Sequence, residues 1–186
     1  LINNGHAVIE LDHVTQPAIE GVTETISCDL RDSEAVNNAV KSTKPAACIH
    51  LGAIAFVPTG NSDPGKMLSV NIHGTTNVLN AFREYAPDAK ILVTSTAHVY
   101  NNNSDGNEIS ESDELMPLSM YAISKAAADL ATLAYANKYN MHCLTARPNN
   151  HTGPGQVADY VVPSFVRQLK DISNGDQDPV MHVGNL

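Results

Sequence analysis

The feature that most constrains this chain is a regular alternation of short apolar runs with helix-length segments. The runs are "HAVIEL" (6 to 11), "ETISC" (24 to 28), "AACIHL" (46 to 51), "KILVTS" (90 to 95) and "MHCLTA" (141 to 146). Each is short enough for a buried strand and too short for a helix. The segments between them include 33 to 42, roughly 65 to 85, and 120 to 138, which are long enough for helices. Strand alternating with helix at this pace predicts a parallel sheet covered on both faces and joined by right-handed crossovers, a doubly wound α/β fold of the Rossmann type. Local punctuation agrees. In "LRDSEAV", Asp32 or Ser33 can cap a helix N-terminus, and "YAPDAK" and "KYNM" carry the turn residues expected after helices.

The two ends of the chain add to this. "LINNGHAVIELD" reads as the last turn of a helix, a stop at Gly5, and then a strand. In a dinucleotide-binding sheet the first strand and a Gly-rich turn, whose backbone amides cradle a pyrophosphate, would come before it. No G-x-x-G-x-x-G occurs in the sequence, so the chain is expected to be a fragment of a longer protein or an incomplete gene product. After Pro163 an amphipathic segment, "SFVRQLKDI", leads to the turn-rich "SNGDQDP" and a closing "VMHVGNL". The expected organisation is a dinucleotide-binding domain over 1 to 160 and the start of a smaller substrate-binding lobe over 161 to 186.

Composition narrows the function classes. A chain of 186 residues can bury one sizeable core, and its 42% hydrophobic and 17% charged content is that of a globular protein. No apolar run is long enough to span a bilayer. The formal net charge of -9, from 11 basic and 20 acidic residues, argues against a nucleic-acid partner. Cys28, Cys48 and Cys143 are far apart and sit in apolar strand-like stretches, which suits free thiols in a reducing compartment and a cytoplasmic protein. His50, His98, His142 and His151 lack any H-x-x-x-H or C-x-x-C spacing and receive no metal role. Asn102-Asn103-Ser104 and Asn150-His151-Thr152 match the glycosylation pattern but are discounted, no signal peptide preceding them.

The chemistry-bearing residues gather where strands end. Asp12 closes the first run, where a carboxylate can take both hydroxyls of an adenosine ribose and repel a 2′-phosphate, favouring NAD over NADP; the alternative is an Asp that merely starts a turn. Asp29 and Leu30 follow the second run and are placed to flank an adenine. Leu51, Gly52 and Ala53 follow the third, and the small pair would let a flat cofactor lie against the backbone. Thr94, Ser95 and Thr96 end the fourth, where hydroxyls either cap the next turn or bind a substrate oxygen. Tyr121 and Lys125 stand four residues apart at the head of "YAISKAAADL", so in a helix they share a face. An ammonium beside a phenol lowers the phenol's pKa and makes it a usable proton donor near neutrality.

Strand-end hydroxyl, Tyr and Lys in this order, with "DLRD", "HLGA", "VNIHGTTNVLNAF", "TSTAHVY", "YAISKAAAD" and "ARPNNHTGPGQ", resemble the extended short-chain dehydrogenase/reductase family in its nucleotide-sugar branch. "RPNNHTGPGQ" and the closing "VGNL" are most similar to the GDP-4-keto-6-deoxy-mannose reductases and GDP-mannose 4,6-dehydratases. The resemblance implies Tyr121 as general acid/base and Lys125 as the residue that binds the nicotinamide ribose and tunes Tyr121. It implies that Thr96, with Ala97 beside it, holds the sugar oxygen, that Thr94 borders the cofactor, and that Asn71 supports the active-site backbone. Pro148 would border the nicotinamide and Asn150 would reach the substrate diphosphate. The chain departs from the family pattern at Asn101 (usually Gly), Met120 (usually Pro), Asn149 (usually aromatic) and in the absent Gly-rich turn.

Among reactions, a dehydratase needs a further acid and base beside the Tyr. The family's dehydratases carry an acidic residue just after the Thr, where this chain has Ala97 and His98. The reading ranked first is therefore an NAD(P)-dependent reductase acting at C4 of a 4-keto-6-deoxy nucleotide hexose, GDP-linked. A 4-epimerase ranks second, a dehydratase below it, and a non-catalytic remnant or interaction module stands as the alternative of another class. Small residues striping the segments 66 to 85 and 120 to 138 allow close helix pairing, and the family expectation is a homodimer.

Overall fold

A computed structural model describes residues 1–13, 19–100 and 108–184. Asn101 and the Asn102-Asn103-Ser104 triplet lie outside the described residues. The chain divides into two compact units, Leu1–Asn149 and Asn150–Leu186.

In the first unit a single 3₁₀ turn (Ile2–Asn4) stops at Gly5, whose φ of 80° is left-handed, and β1 (Ile9–Asp12) follows. Then come β2 (Glu24–Ser27), α1 (Ser33–Thr43), β3 (Ala47–His50), α2 (Val57–Ser62) and α3 (Pro64–Leu68). A π-helical turn (Ser69–His73) runs into α4 (Gly74–Tyr85), followed by β4 (Lys90–Thr94), a 3₁₀ turn (Ala97–Val99), α5 (Met120–Tyr139) and β5 (Cys143–Ala146). Asp32 caps α1, its carboxylate accepting from the amides of Glu34 and Ala35 at 3.0 Å each. Asn140 ends α5 at φ 55°, a left-handed conformation that Asn tolerates better than most residues.

The strand ladders among the described residues are all parallel and form two sheets, with one isolated antiparallel bridge between Tyr100 and Leu115. β1 pairs β2, and β3, β4 and β5 form a separate sheet in that order. Register decides which side chains are buried. Cys48, Ile91 and Cys143 lie in one row, and Ile91 and Val93 pack with Val36 and Val40 of α1 and Val78, Leu79 and Phe82 of α4. The alternate row, Ile49, Leu92 and Leu144, points the other way, and Ile49 and Leu144 are 49% and 59% exposed. The parallel α/β arrangement is the Rossmann-like one expected; among the described residues α1, α4 and α5 pack on the same face of the β3-β4-β5 sheet. The handedness of crossovers explains it. Two successive right-handed crossovers that step the same way across a sheet deliver their helices to one face, and a second layer needs steps in the opposite direction.

The helix expected over roughly 65 to 85 is divided. Asp63 caps a new start at Pro64, where a missing N–H costs nothing, and the π turn inserts its wider winding before α4. The three cysteines are free; Cys28 is buried just past β2, and Cys48 and Cys143 are half-buried in β3 and β5. Burial pushes the Cys48 thiol up to about 11.

The second unit holds α6 (Val161–Asn174), closed by Gly175 at φ 80°. The Gln168 side chain fastens the following stretch of chain to it, donating to the His182 carbonyl at 3.0 Å and accepting from the His182 amide at 2.7 Å. Among the described residues no helix is long and apolar enough to cross a membrane.

Candidate active site

The head of α5 sets the site. Ser119 caps it, accepting from the Ala122 amide at 3.1 Å, and the helix then places Tyr121 and Lys125 one turn apart on one face. Tyr121 is half-buried. Lys125 is only 6% exposed, and burial lowers its pKa to about 8 although the Asp129 carboxylate one turn further on acts to raise it. A lysine so depressed sits within reach of both protonation states near neutrality.

Thr96 arrives from the end of β4. Two backbone bonds bracket it: the Ser95 amide donates to the Ala146 carbonyl at 2.7 Å, and the Ala97 amide to the Pro148 carbonyl at 2.9 Å. Its hydroxyl caps the 3₁₀ turn by accepting from the His98 amide at 3.3 Å. The exposed His98 ring stands edge-on to Tyr121, centroids 6.4 Å apart and planes at 69°. The turn that Thr96 caps thus stands beside the head of α5, which carries Tyr121 and Lys125, with Ala97 and Pro148 joined next to it.

Asn71 lies in the π turn, 1% exposed, and ties three elements. Its side-chain oxygen accepts from the Ile54 amide at 2.7 Å, and its amide donates to the Ile54 carbonyl at 3.0 Å and the Ser124 hydroxyl at 2.8 Å. Ser124 in turn donates to the Tyr121 carbonyl at 2.7 Å. The loop after β3 is therefore fastened to the first turn of α5 through one side chain. Beneath it, the Thr75 hydroxyl donates to the Asn71 carbonyl at 2.6 Å, which leaves it an acceptor for His50 Nε2 at 3.0 Å. That bond assigns the proton to Nε2, and burial with the nearby Lys125 charge pushes the His50 pKa down to about 4, keeping the ring neutral.

The remaining expected cofactor residues spread along the strand ends. Asp12 ends β1 half-buried, with His13 Nδ1 at 3.3 Å. Asp29 is held by its neighbour Arg31 through a two-pronged contact at 2.6 to 3.1 Å, which keeps its carboxyl down at about 2. The Leu30 side chain lies against Gly52 and Gly74, where added Cβ atoms would stand 2.6 and 2.9 Å from it; these glycines make room for Leu30. Leu51 is 69% exposed, and Ala53 and Thr94 are half-buried. Asn150 begins the second unit.

Sequence reading missed Asp129, Arg147 and Tyr100. Asp129 is fully buried, and Arg147 donates to it from Nε at 2.7 Å and Nη2 at 3.2 Å. Arg147 Nη1 donates to the Tyr100 hydroxyl at 2.5 Å. The signal for Asp129 was present: it follows Lys125 by four residues as Lys125 follows Tyr121. The chemistry of these groups is compatible with the two riboses of a nicotinamide dinucleotide: Asp12 offers an acceptor for hydroxyls, and Lys125 with Tyr121 a charged donor and a phenol. Ser95 Oγ, buried and without a hydrogen-bond partner among the described residues, adds a polar atom beside Thr96.

The family model for GDP-mannose 4,6 dehydratase matches residues 3–186. A GDP-6-deoxy-D-mannose reductase of Pseudomonas aeruginosa is 33% identical over 144 residues, 76% of this chain and 47% of the relative. The solved structure of RMD from Pseudomonas aeruginosa complexed with NADPH superposes with a TM-score of 0.79 at 32% identity, over 84% of this chain and 52% of that one. The UDP-glucose 4-epimerase of Thermus thermophilus in complex with NAD gives 0.83 at 28% identity, over 93% and 57%. The chain thus spans about half the length of the relatives it matches.

Proposed function

This chain belongs to the GDP-mannose 4,6 dehydratase family, and from that premise we propose that the protein is an NAD(P)-dependent nucleotide-sugar oxidoreductase acting at C4 of a 4-keto-6-deoxy hexose. The observation that carries the reading is a buried lysine one helical turn from a tyrosine, with the 3₁₀ turn that a strand-end threonine caps setting His98 edge-on to that tyrosine. As negative charge develops on the C4 oxygen, Tyr121 gives its proton to that oxygen. Lys125 places a cation beside the resulting phenolate in a water-poor setting, where charge interactions are strong. Thr96, whose hydroxyl accepts from the His98 amide, keeps its own O–H to orient the same oxygen. Asp12 would hold the adenosine ribose of a bound dinucleotide and Tyr121 with Lys125 its nicotinamide ribose, with Leu51, Gly52, Ala53, Thr94 and Pro148 along it; the chemistry such a group would supply is the hydride.

Asp12 favours NADH over NADPH through repulsion of a 2′-phosphate. A GDP-linked substrate is supported by the likeness to the Pseudomonas reductase, with Asn150 as the residue toward the diphosphate. Reduction is preferred to dehydration because Ala97, next to Thr96, offers no acid group. A cytoplasmic homodimer completes the proposal: α5 leaves Ile123, Leu130 and Leu133 exposed by 41%, 55% and 37%, a stripe suited to a second copy of the helix. Light scattering of the whole protein at monomer mass would sink the dimer.

The test of the activity is stoichiometry. The whole protein, given a GDP-4-keto-6-deoxy-hexose and NADH or NADPH, is expected to oxidise one cofactor per product. Product formed with only catalytic cofactor would make it a 4-epimerase, and no reaction or binding with either cofactor would refute the oxidoreductase reading.

A further inference from the structure

We propose that Arg147 is a positioning residue, which locks the Thr96 end of β4 to the Tyr121 helix and so sets the distance between the groups that share the substrate oxygen. This rests on the reading of the site given above. The case is geometric. Arg147 uses four of its guanidinium N–H bonds on three partners: Nε and Nη2 on the Asp129 carboxylate, and Nη1 on the Tyr100 hydroxyl at 2.5 Å and the Glu111 carbonyl at 3.1 Å. Asp129 belongs to α5, two turns below Tyr121, and its other tie is the Thr145 hydroxyl of β5 at 3.1 Å. Tyr100 follows the 3₁₀ turn that Thr96 caps, and it packs with Val99 and Ala126, the residue after Lys125. The guanidinium also lies 5.2 Å from the Tyr100 ring centroid.

The backbone on either side of Arg147 supplies the other half of the lock. Ala146 and Pro148 offer the two carbonyls that bracket Thr96. One three-residue segment therefore grips Thr96 through its main chain, and α5 and Tyr100 through its one long side chain. A guanidinium is suited to this because its donors are fixed in a plane on three nitrogens; an ammonium carries its three donors on one nitrogen and cannot set a two-pronged fork on Asp129 while reaching Tyr100 and Glu111. Stability alone is a weaker account, because a buried ion pair returns little net free energy against a well-packed neutral pair.

Two variants separate positioning from folding. Arg147→Lys keeps a cation on Asp129 but loses the fork to Tyr100 and Glu111, whereas Tyr100→Phe leaves the Arg147–Asp129 pair intact and removes only the hydroxyl. Both are read in the whole protein, first by NMR of ¹³C-labelled tyrosine without substrate or cofactor, with Tyr121→Phe assigning the Tyr121 signal. The second readout is kcat and KM for hydride transfer. The expected result is a shifted Tyr121 signal in each variant and a kcat about tenfold or more lower with KM little changed, since small misplacements of reacting groups are costly. The double variant should add nothing to either single one. A Tyr121 signal at its wild-type position in both variants overturns the inference whatever the activity, as do additive losses. If Arg147→Lys fails to fold, Tyr100→Phe alone decides it. A wild-type protein without hydride transfer, whose Tyr121 signal still moves in both variants, refutes the proposed reaction and leaves the coupling standing.

Discussion

Truncating Asn71 to Ala should cost far more than its size suggests, and the hydrogen bonds say how much. The side chain satisfies both backbone groups of Ile54 and one lone pair of Ser124, at 2.7, 3.0 and 2.8 Å. With the residue 1% exposed, little water is at hand to replace it. Each orphaned backbone group costs roughly 1–3 kcal/mol, and Ser124 keeps its bond to the Tyr121 carbonyl, so its share is small. The sum is about 2–6 kcal/mol for Asn71→Ala. Ser124→Ala, which orphans one amide proton of Asn71 and one acceptor on a helical carbonyl, should cost about 1 kcal/mol. In urea, with a slope of about 2 kcal/mol/M, the midpoints should fall by about 1–3 M and about 0.5 M respectively. The Asn71 variant should also lose hydride transfer, because the loop after β3 and the turn carrying Tyr121 are no longer tied. Equal midpoint shifts for the two variants would refute the claim that satisfaction of Ile54 is what Asn71 provides.

Other outcomes follow from the same structure. Tyr121→Phe is expected to abolish turnover while its unfolding midpoint and its affinity for dinucleotide by titration stay near wild type; retained turnover removes the proton-donor role. His50 titrates at about 4 in the folded chain against an ordinary 6.5, so the unfolded state binds the extra proton first. The stability tied to its neutral form is complete above about pH 6.5 and is lost as pH falls toward 4, on the order of 3 kcal/mol. Urea midpoints at pH 7 and 4.5 should therefore converge more in His50→Gln than in wild type, and an unchanged pH slope would contradict the burial argument. Leu79→Ala, at a fully buried core position of α4, should cost about 2–5 kcal/mol in the same assay, and a cost below about 1 kcal/mol would show that the α1–α4 core repacks freely.

Much of the scaffold was legible in the residues. Each apolar run holds all or most of a strand, because a short β-branched and apolar segment with turn residues on both sides has few alternatives. Asp32 was readable as a cap, since the orphan amides of a helix start need an acceptor nearby in sequence. The Tyr121–Lys125 pair was readable for a similar reason: helical spacing is local. The π turn around Asn71 was not, because its wider winding is held by bonds to Ile54 and Ser124 that lie 17 and 53 residues away. Leu30 and Gly52 carried a different lesson. The small residue after β3 was read as room for a cofactor, and it also makes room for a leucine from the previous strand-helix loop.

What the sequence alone determined, then, is what depends on near neighbours: where strands and helices begin, which residue caps them, and that a phenol and an ammonium share a helical face. What only the tertiary structure decided depends on partners distant in the chain. It decided that the strands among the described residues pair into two sheets, that α1, α4 and α5 share one face, and that Lys125 is buried deeply enough to titrate at about 8. It also decided that Asp129, Arg147 and Tyr100 form one bonded unit behind the site. The physical reason is range. Propensity, capping and helical periodicity act within a few residues, whereas burial, desolvation and the satisfaction of buried polar groups are properties of the packed chain.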